Sequence, residues 1–136
     1  MNEKLEEFVA YFRDGNATIY DIRESNGEVR ITFDYGHAEA VAYYDGYTAS
    51  IVHYNFPIEQ FTSYINNKVN NINNDIYKKY KIEIRCDNHK GKYYLTFIYC
   101  YMTNDNPYMA ACNLLNNYNN TRSMIENYIQ ELVNYI

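Results

Sequence analysis

The chain has 136 residues, of which 47% are hydrophobic and 21% charged, with a net charge of −5. That is enough for one domain with its own core, and too apolar for a disordered chain. No run approaches eighteen apolar residues, and Glu3, Lys4, Glu6 and Glu7 crowd the start, which excludes a helical membrane span and an apolar signal segment and leads us to expect a cytoplasmic protein.

Leu5, Phe8, Val9 and Phe12 form one apolar stripe at helical spacing, so a first helix is expected over 3–14. Asn2 is placed to cap it and Gly15 to end it. Residues 17–55 then read as four short strands joined by turns at Asn26-Gly27, Gly36-His37 and Asp45-Gly46. The second is the clearest: Val29, Ile31, Phe33 and Tyr35 alternate with Glu28, Arg30, Thr32 and Asp34, the period-two pattern of a sheet with one packed and one wet face. The first strand, 17–24, is ambiguous, because Ile19 and Ile22 fall on opposite faces of a regular strand.

A second helix is expected from Pro57 to about Lys79, with Phe61, Ile65, Val69, Ile72 and Ile76 as its buried stripe. The asparagines between them are poor helix formers and read as compositional drift rather than as a prion-like tract. Tyr80 to Met102 reads as a hairpin turning at 88–91, with Asp87 opposite Lys92 and Cys86 opposite Tyr93. Its return strand is apolar on both sides, which marks a central or interfacial strand. The tail is helical, capped by Asp105 or Asn106 and opened by Pro107, with a break expected before Thr121 because 116–120 is Asn-rich. The expected fold is α+β: a single antiparallel sheet, made of a four-strand meander and a hairpin, with helices mainly on one face, in the order α-β-β-β-β-α-β-β-α(-α).

Charge is unevenly spread. Residues 1–59 hold eleven acids and four bases, net −7; residues 60–136 hold six acids and eight bases, net +2. Asp34, Glu39, Asp45 and Glu59 lie in a stretch, 31–67, without Lys or Arg, and are the expected contacts for a basic protein partner. A pI near 5.1 argues against nucleic acid as the direct ligand.

Catalytic chemistry finds little support. Cys86, Cys100 and Cys112 are odd in number, and Cys86 with His89 has metal-like spacing but lacks two further ligands, so no metal or cofactor is expected. His37 with Glu39 resembles a base and its orienter, but no nucleophile accompanies it. The eighteen tyrosines suit core and interface packing better than a base-stacking platform, whose basic and glycine residues are missing. Tyr94, Ile98, Cys100 and Met102, on the side of their strand away from the helices, are the expected self-association surface of a homodimer.

In element order the chain is similar to type III secretion chaperones, homodimers that bind an unfolded client segment, although it carries one strand more before the second helix. In its small, acidic, Asn- and Tyr-rich character it resembles phage-encoded inhibitors of bacterial defence nucleases, including anti-CRISPR proteins; that likeness transfers no residue. The expectation is a non-enzymatic acidic binding protein, phage- or mobile-element-encoded, that inhibits a defence nuclease by docking on its basic surface. The alternative is a dimeric chaperone-like or immunity-type protein with a client.

Overall fold

The computed structural model describes residues 1–34, 39–58, 62–89, 91–102 and 106–133. Helix α1 (Glu3–Tyr11) is capped by Asn2, whose side-chain oxygen accepts the Leu5 N–H at 2.9 Å. A wide turn over Phe12–Asn16 follows, closed by Gly15 at φ 87°, a left-handed angle that glycine adopts without strain. Then come β1 (Thr18–Ser25), β2 (Glu28–Asp34), β3 (Glu39–Tyr44) and β4 (Thr48–Ile58), α2 (Ser63–Tyr80), β5 (Ile82–His89), β6 (Lys92–Met102) and α3 (Pro107–Val133). The six strands form one antiparallel sheet in the order β1-β2-β3-β4-β6-β5. This is the α+β architecture that the patterning predicts, and β6, apolar on both sides, does lie inside the sheet.

Four expectations are corrected. Ile19 and Ile22 pair with Phe33 and Ile31, both core residues, because the register slips at Tyr20. This bulge resets the phase of β1 and returns both isoleucines to the helix side. Pro57 lies in β4 rather than opening α2. Beyond His53, the described pairing of β4 is with β6, and a proline is tolerated where a strand has only one such neighbour. Thr62 caps α2 instead, accepting the Ile65 N–H at 3.2 Å. The β5–β6 hairpin pairs His89 with Lys92, which sets Cys86 opposite Leu95 and Asp87 opposite Tyr94.

Last, α3 is unbroken. Asn106 caps it, accepting the Met109 N–H at 2.8 Å. Its Asn-rich middle is tied down from both sides: the Asn117 amide donates to the Tyr80 carbonyl at 3.1 Å, and the Tyr118 ring is fully buried. Packing here outweighs weak helix propensity.

The helices cover one face of the sheet. Val29, Ile31, Phe33, Ala40, Ala42, Tyr44, Ala49, Ile51, Ile82, Ile84, Leu95 and Tyr99 are buried beneath them. A chain of aromatic rings crosses this core. Phe8 stacks on Tyr44 (4.4 Å, 9°), Phe12 meets Phe33 at 5.3 Å, Phe33 meets Tyr118 at 6.3 Å, and Tyr118 meets Tyr99 edge-on at 5.0 Å. Each such pair contributes about 0.5–1.5 kcal/mol beyond its buried area. Part of the tyrosine excess is thus core material; Tyr20, Tyr47, Tyr64, Tyr77 and Tyr108 stay exposed.

Candidate functional site: an acidic corner of the sheet

The acidic residues singled out above do not form one surface. Asp34 ends β2 and Glu39 opens β3, and the two are direct cross-strand partners. The turn read from the sequence at Gly36-His37 already implied that pairing. Asp45 lies past the far end of β3, six residues from Glu39, roughly 20 Å along a strand rising ~3.4 Å per residue. Its carboxylate is spent locally. Oδ1 accepts the N–H groups of Tyr47 (2.8 Å) and Thr48 (2.7 Å), and Oδ2 accepts the Thr48 hydroxyl at 3.2 Å. Burial alone would raise its pKa, but these bonds hold it below the usual carboxylate value. A base also folds back here: Lys4 Nζ lies 5.0 Å from the centre of the Tyr47 ring, and its side chain lies against Gly46. Asp45 is therefore a turn-forming residue. Glu59 and His37 lie outside the described residues.

Asp34 is half-buried in unusual surroundings. The Tyr20 hydroxyl, carried outward by the bulge in β1, donates to Oδ2 at 3.0 Å. That bond, more than any burial, raises the Tyr20 pKa. Oδ1 is shielded from water and has no hydrogen-bond partner among the described residues. Beside it opens a cleft of about 580 Å³ between the turn 15–17 and α3, with Asn16, Thr18, Asp34, Asn119 and Arg122 in its wall. Arg122 Nε donates to Glu126 at 3.3 Å, and the Asn16 amide donates to the Tyr11 carbonyl at 2.7 Å.

On the face away from the helices, register lines up Thr32, Val41, Val52, Ile98 and Glu83 across five strands, all half-buried. Ile98 is thus part of an apolar row. Tyr94, Cys100 and Met102 lie on the same strand, and their side chains fall outside the described residues. Three basic positions on this face have partners within the protein: Arg23 donates to Asp21 at 2.7 Å, Arg85 to Glu83 at 3.3 Å, and Arg30 lies 5.2 Å from the Tyr43 ring.

Cys86 is not poised for thiolate chemistry. Burial, then the neighbouring Asp87 charge, pushes Cys86 from 9.0 to about 11, leaving almost no thiolate at neutral pH. Among the described residues no three His, Cys, Asp or Glu side chains come together as a metal site, and no helix is long and apolar enough to cross a membrane.

Patterning also missed Asn73. Its amide donates to the Ile84 carbonyl at 2.9 Å, and its oxygen accepts the Ile84 N–H at 2.8 Å, so it stands in for a neighbouring strand along the edge of β5. No periodicity distinguishes it from the five other asparagines of α2. No family model matches this chain, and no curated protein or solved structure matches it either.

Proposed function

We propose that the protein is a non-enzymatic binding protein whose acidic corner, Asp34 with Glu39, docks on a basic protein surface, in the manner of an inhibitor of a nucleic-acid-handling enzyme such as a bacterial defence nuclease. The observation that carries this reading is the cross-strand pairing of the two carboxylates. Like charges directly opposite each other destabilise a sheet, and a cation from a partner turns that cost into attraction. The inert Cys86 thiol and the dispersed titratable groups favour binding over catalysis.

The test is association kinetics with the partner captured from the native host. Asp34→Asn with Glu39→Gln should slow association about tenfold at low salt and flatten its salt dependence, because long-range attraction acts on the on-rate. Stability should hold or rise slightly. Equal on-rates for the variant and the wild type at low ionic strength would remove the reason for this reading.

A second reading rests on the bare outer face. The row Val41, Val52 and Ile98 is apolar and lies on the face of the sheet away from the described helices, as in a protein that pairs with a second copy or holds a client. Sedimentation at micromolar concentration should then show a dimer that Ile98→Asp dissociates while the fold stays intact. A monomeric wild type that Ile98→Asp leaves unchanged sinks it.

A further inference from the structure

We infer that the cleft beside Asp34 is a socket for one guanidinium group, an arginine side chain of the basic partner; this rests on the docking reading above and names the group that fills it. The first support is the half-satisfied carboxylate. Asp34 Oδ2 holds the Tyr20 hydroxyl, while Oδ1 is desolvated and has no partner among the described residues. A buried charged oxygen without a donor is costly, and the missing piece is a donor.

The second support is what the rest of the wall has to offer. Asn16 gives one of its two N–H groups to Tyr11, and its oxygen is an acceptor in the wall. Thr18, directly opposite Asp34 in the β1–β2 register, adds a hydroxyl, and Asn119 a carboxamide. Arg122, the one base among the described residues of the wall, donates from Nε to Glu126. The carboxylate, the two carboxamide oxygens and the hydroxyl of the wall offer acceptors to a ligand rich in donors and positive. Guanidinium carries five N–H donors and no acceptor, against three for an ammonium, so it can serve several wall oxygens at once. About 580 Å³ leaves ample room for one such side chain and its waters. The terminal torsion of an aspartate is soft, so a rotation short of the twofold brings Oδ1 out toward the cleft.

The experiment needs no partner. N-acetylarginine amide is titrated into the ¹⁵N-labelled full chain, with the citrulline amide as its neutral isostere. Arginine should shift the backbone amides of Thr18, Asp34 and Asn119, and citrulline should bind at least about tenfold more weakly, the effect of losing a charge-assisted hydrogen bond. Asp34→Asn, with a dispersed spectrum, should weaken arginine binding by a similar factor. Tyr20→Phe, which frees the second oxygen and keeps the charge, should tighten it, and it serves if Asp34→Asn does not fold. Glu39→Gln should leave it within about twofold while still slowing association with the partner. That contrast separates failure of the socket from failure of the docking surface. Equal binding of arginine and citrulline, an unaffected Asp34→Asn, no gain in Tyr20→Phe, or a loss with Glu39→Gln overturns the socket.

Discussion

Tyr118→Ala should destabilise the protein by about 3–5 kcal/mol, the range for emptying a large aromatic from a core. Tyr118 is fully buried, touches Phe33 on β2 and Tyr99 on β6 edge-on, and is the ring through which α3 grips the sheet. Against a total stability of about 5–15 kcal/mol, that loss removes a third or more. Urea unfolding is the measurement: the midpoint should fall with an unchanged slope, since the fold is kept and only a cavity is added. Tyr118→Phe keeps the ring contacts and should cost less than about 2 kcal/mol. An alanine variant within ~1 kcal/mol of wild type would show that α3 is held elsewhere. The same ring has an alkaline signature. Burial pushes the Tyr118 hydroxyl from 10.0 to about 12, and buried Tyr99 further still. The folded state therefore keeps these protons after the unfolded chain has lost them. Their contribution is complete below pH 10 and drains away as pH rises through 12, so the urea midpoint should fall across that window, and less steeply in Tyr118→Phe.

Much of this architecture was legible because it rests on period and punctuation. The alternation of Val29, Ile31 and Phe33, the stripe of Leu5, Phe8 and Phe12, and the two-sided apolarity of 92–102 each identify an element and its buried side. What was illegible needed a second element to decide it. The bulge at Tyr20 shows only when β1 must bring both isoleucines against β2. The continuity of α3 depends on Tyr80 and on the rings meeting Tyr118. The acidic site split for the same reason. Asp34, Glu39 and Asp45 are close in sequence, but a six-residue strand holds one end of the set away from the other. Asp45 sits before a glycine in a tight turn, where a carboxylate bonds the backbone two and three residues on. Charge reversal there would break a turn as well as a surface. Among the described residues, bases approach the meander from α1, as Lys4, and from α3, as Arg122 in the cleft beside Asp34, while Lys68 pairs with Glu131 at 2.8 Å.

Asn73→Ala should cost about 1–3 kcal/mol, and its neighbour Asn71→Ala should gain a few tenths. Asn71 is exposed on α2, so replacing it only improves helix propensity. Asn73 serves a strand. It occupies both the N–H and the C=O of Ile84, at 2.8 and 2.9 Å, on an outer strand with no neighbour beyond it. Removing it strands two backbone groups beside the buried Ile84 side chain. Asn73→Asp is the sharper variant: it keeps the acceptor, loses the donor and points a charge at the Ile84 carbonyl, so it should be at least as damaging as alanine. Hydrogen exchange gives the local reading. The Ile84 amide should lose protection in both variants, while amides in β2 and β3 keep theirs. If Asn73→Ala behaves as Asn71→Ala does, the asparagines of α2 are interchangeable and this one has no special role. The outcome also bears on docking. An exposed strand edge invites pairing with another chain, and Asn73 closes this one. The opposite edge, β1, is blunted by its bulge and by Asp21 and Arg23. With both edges guarded at these points, the docking proposed above runs through side chains, at the acidic corner or on the outer face of the sheet.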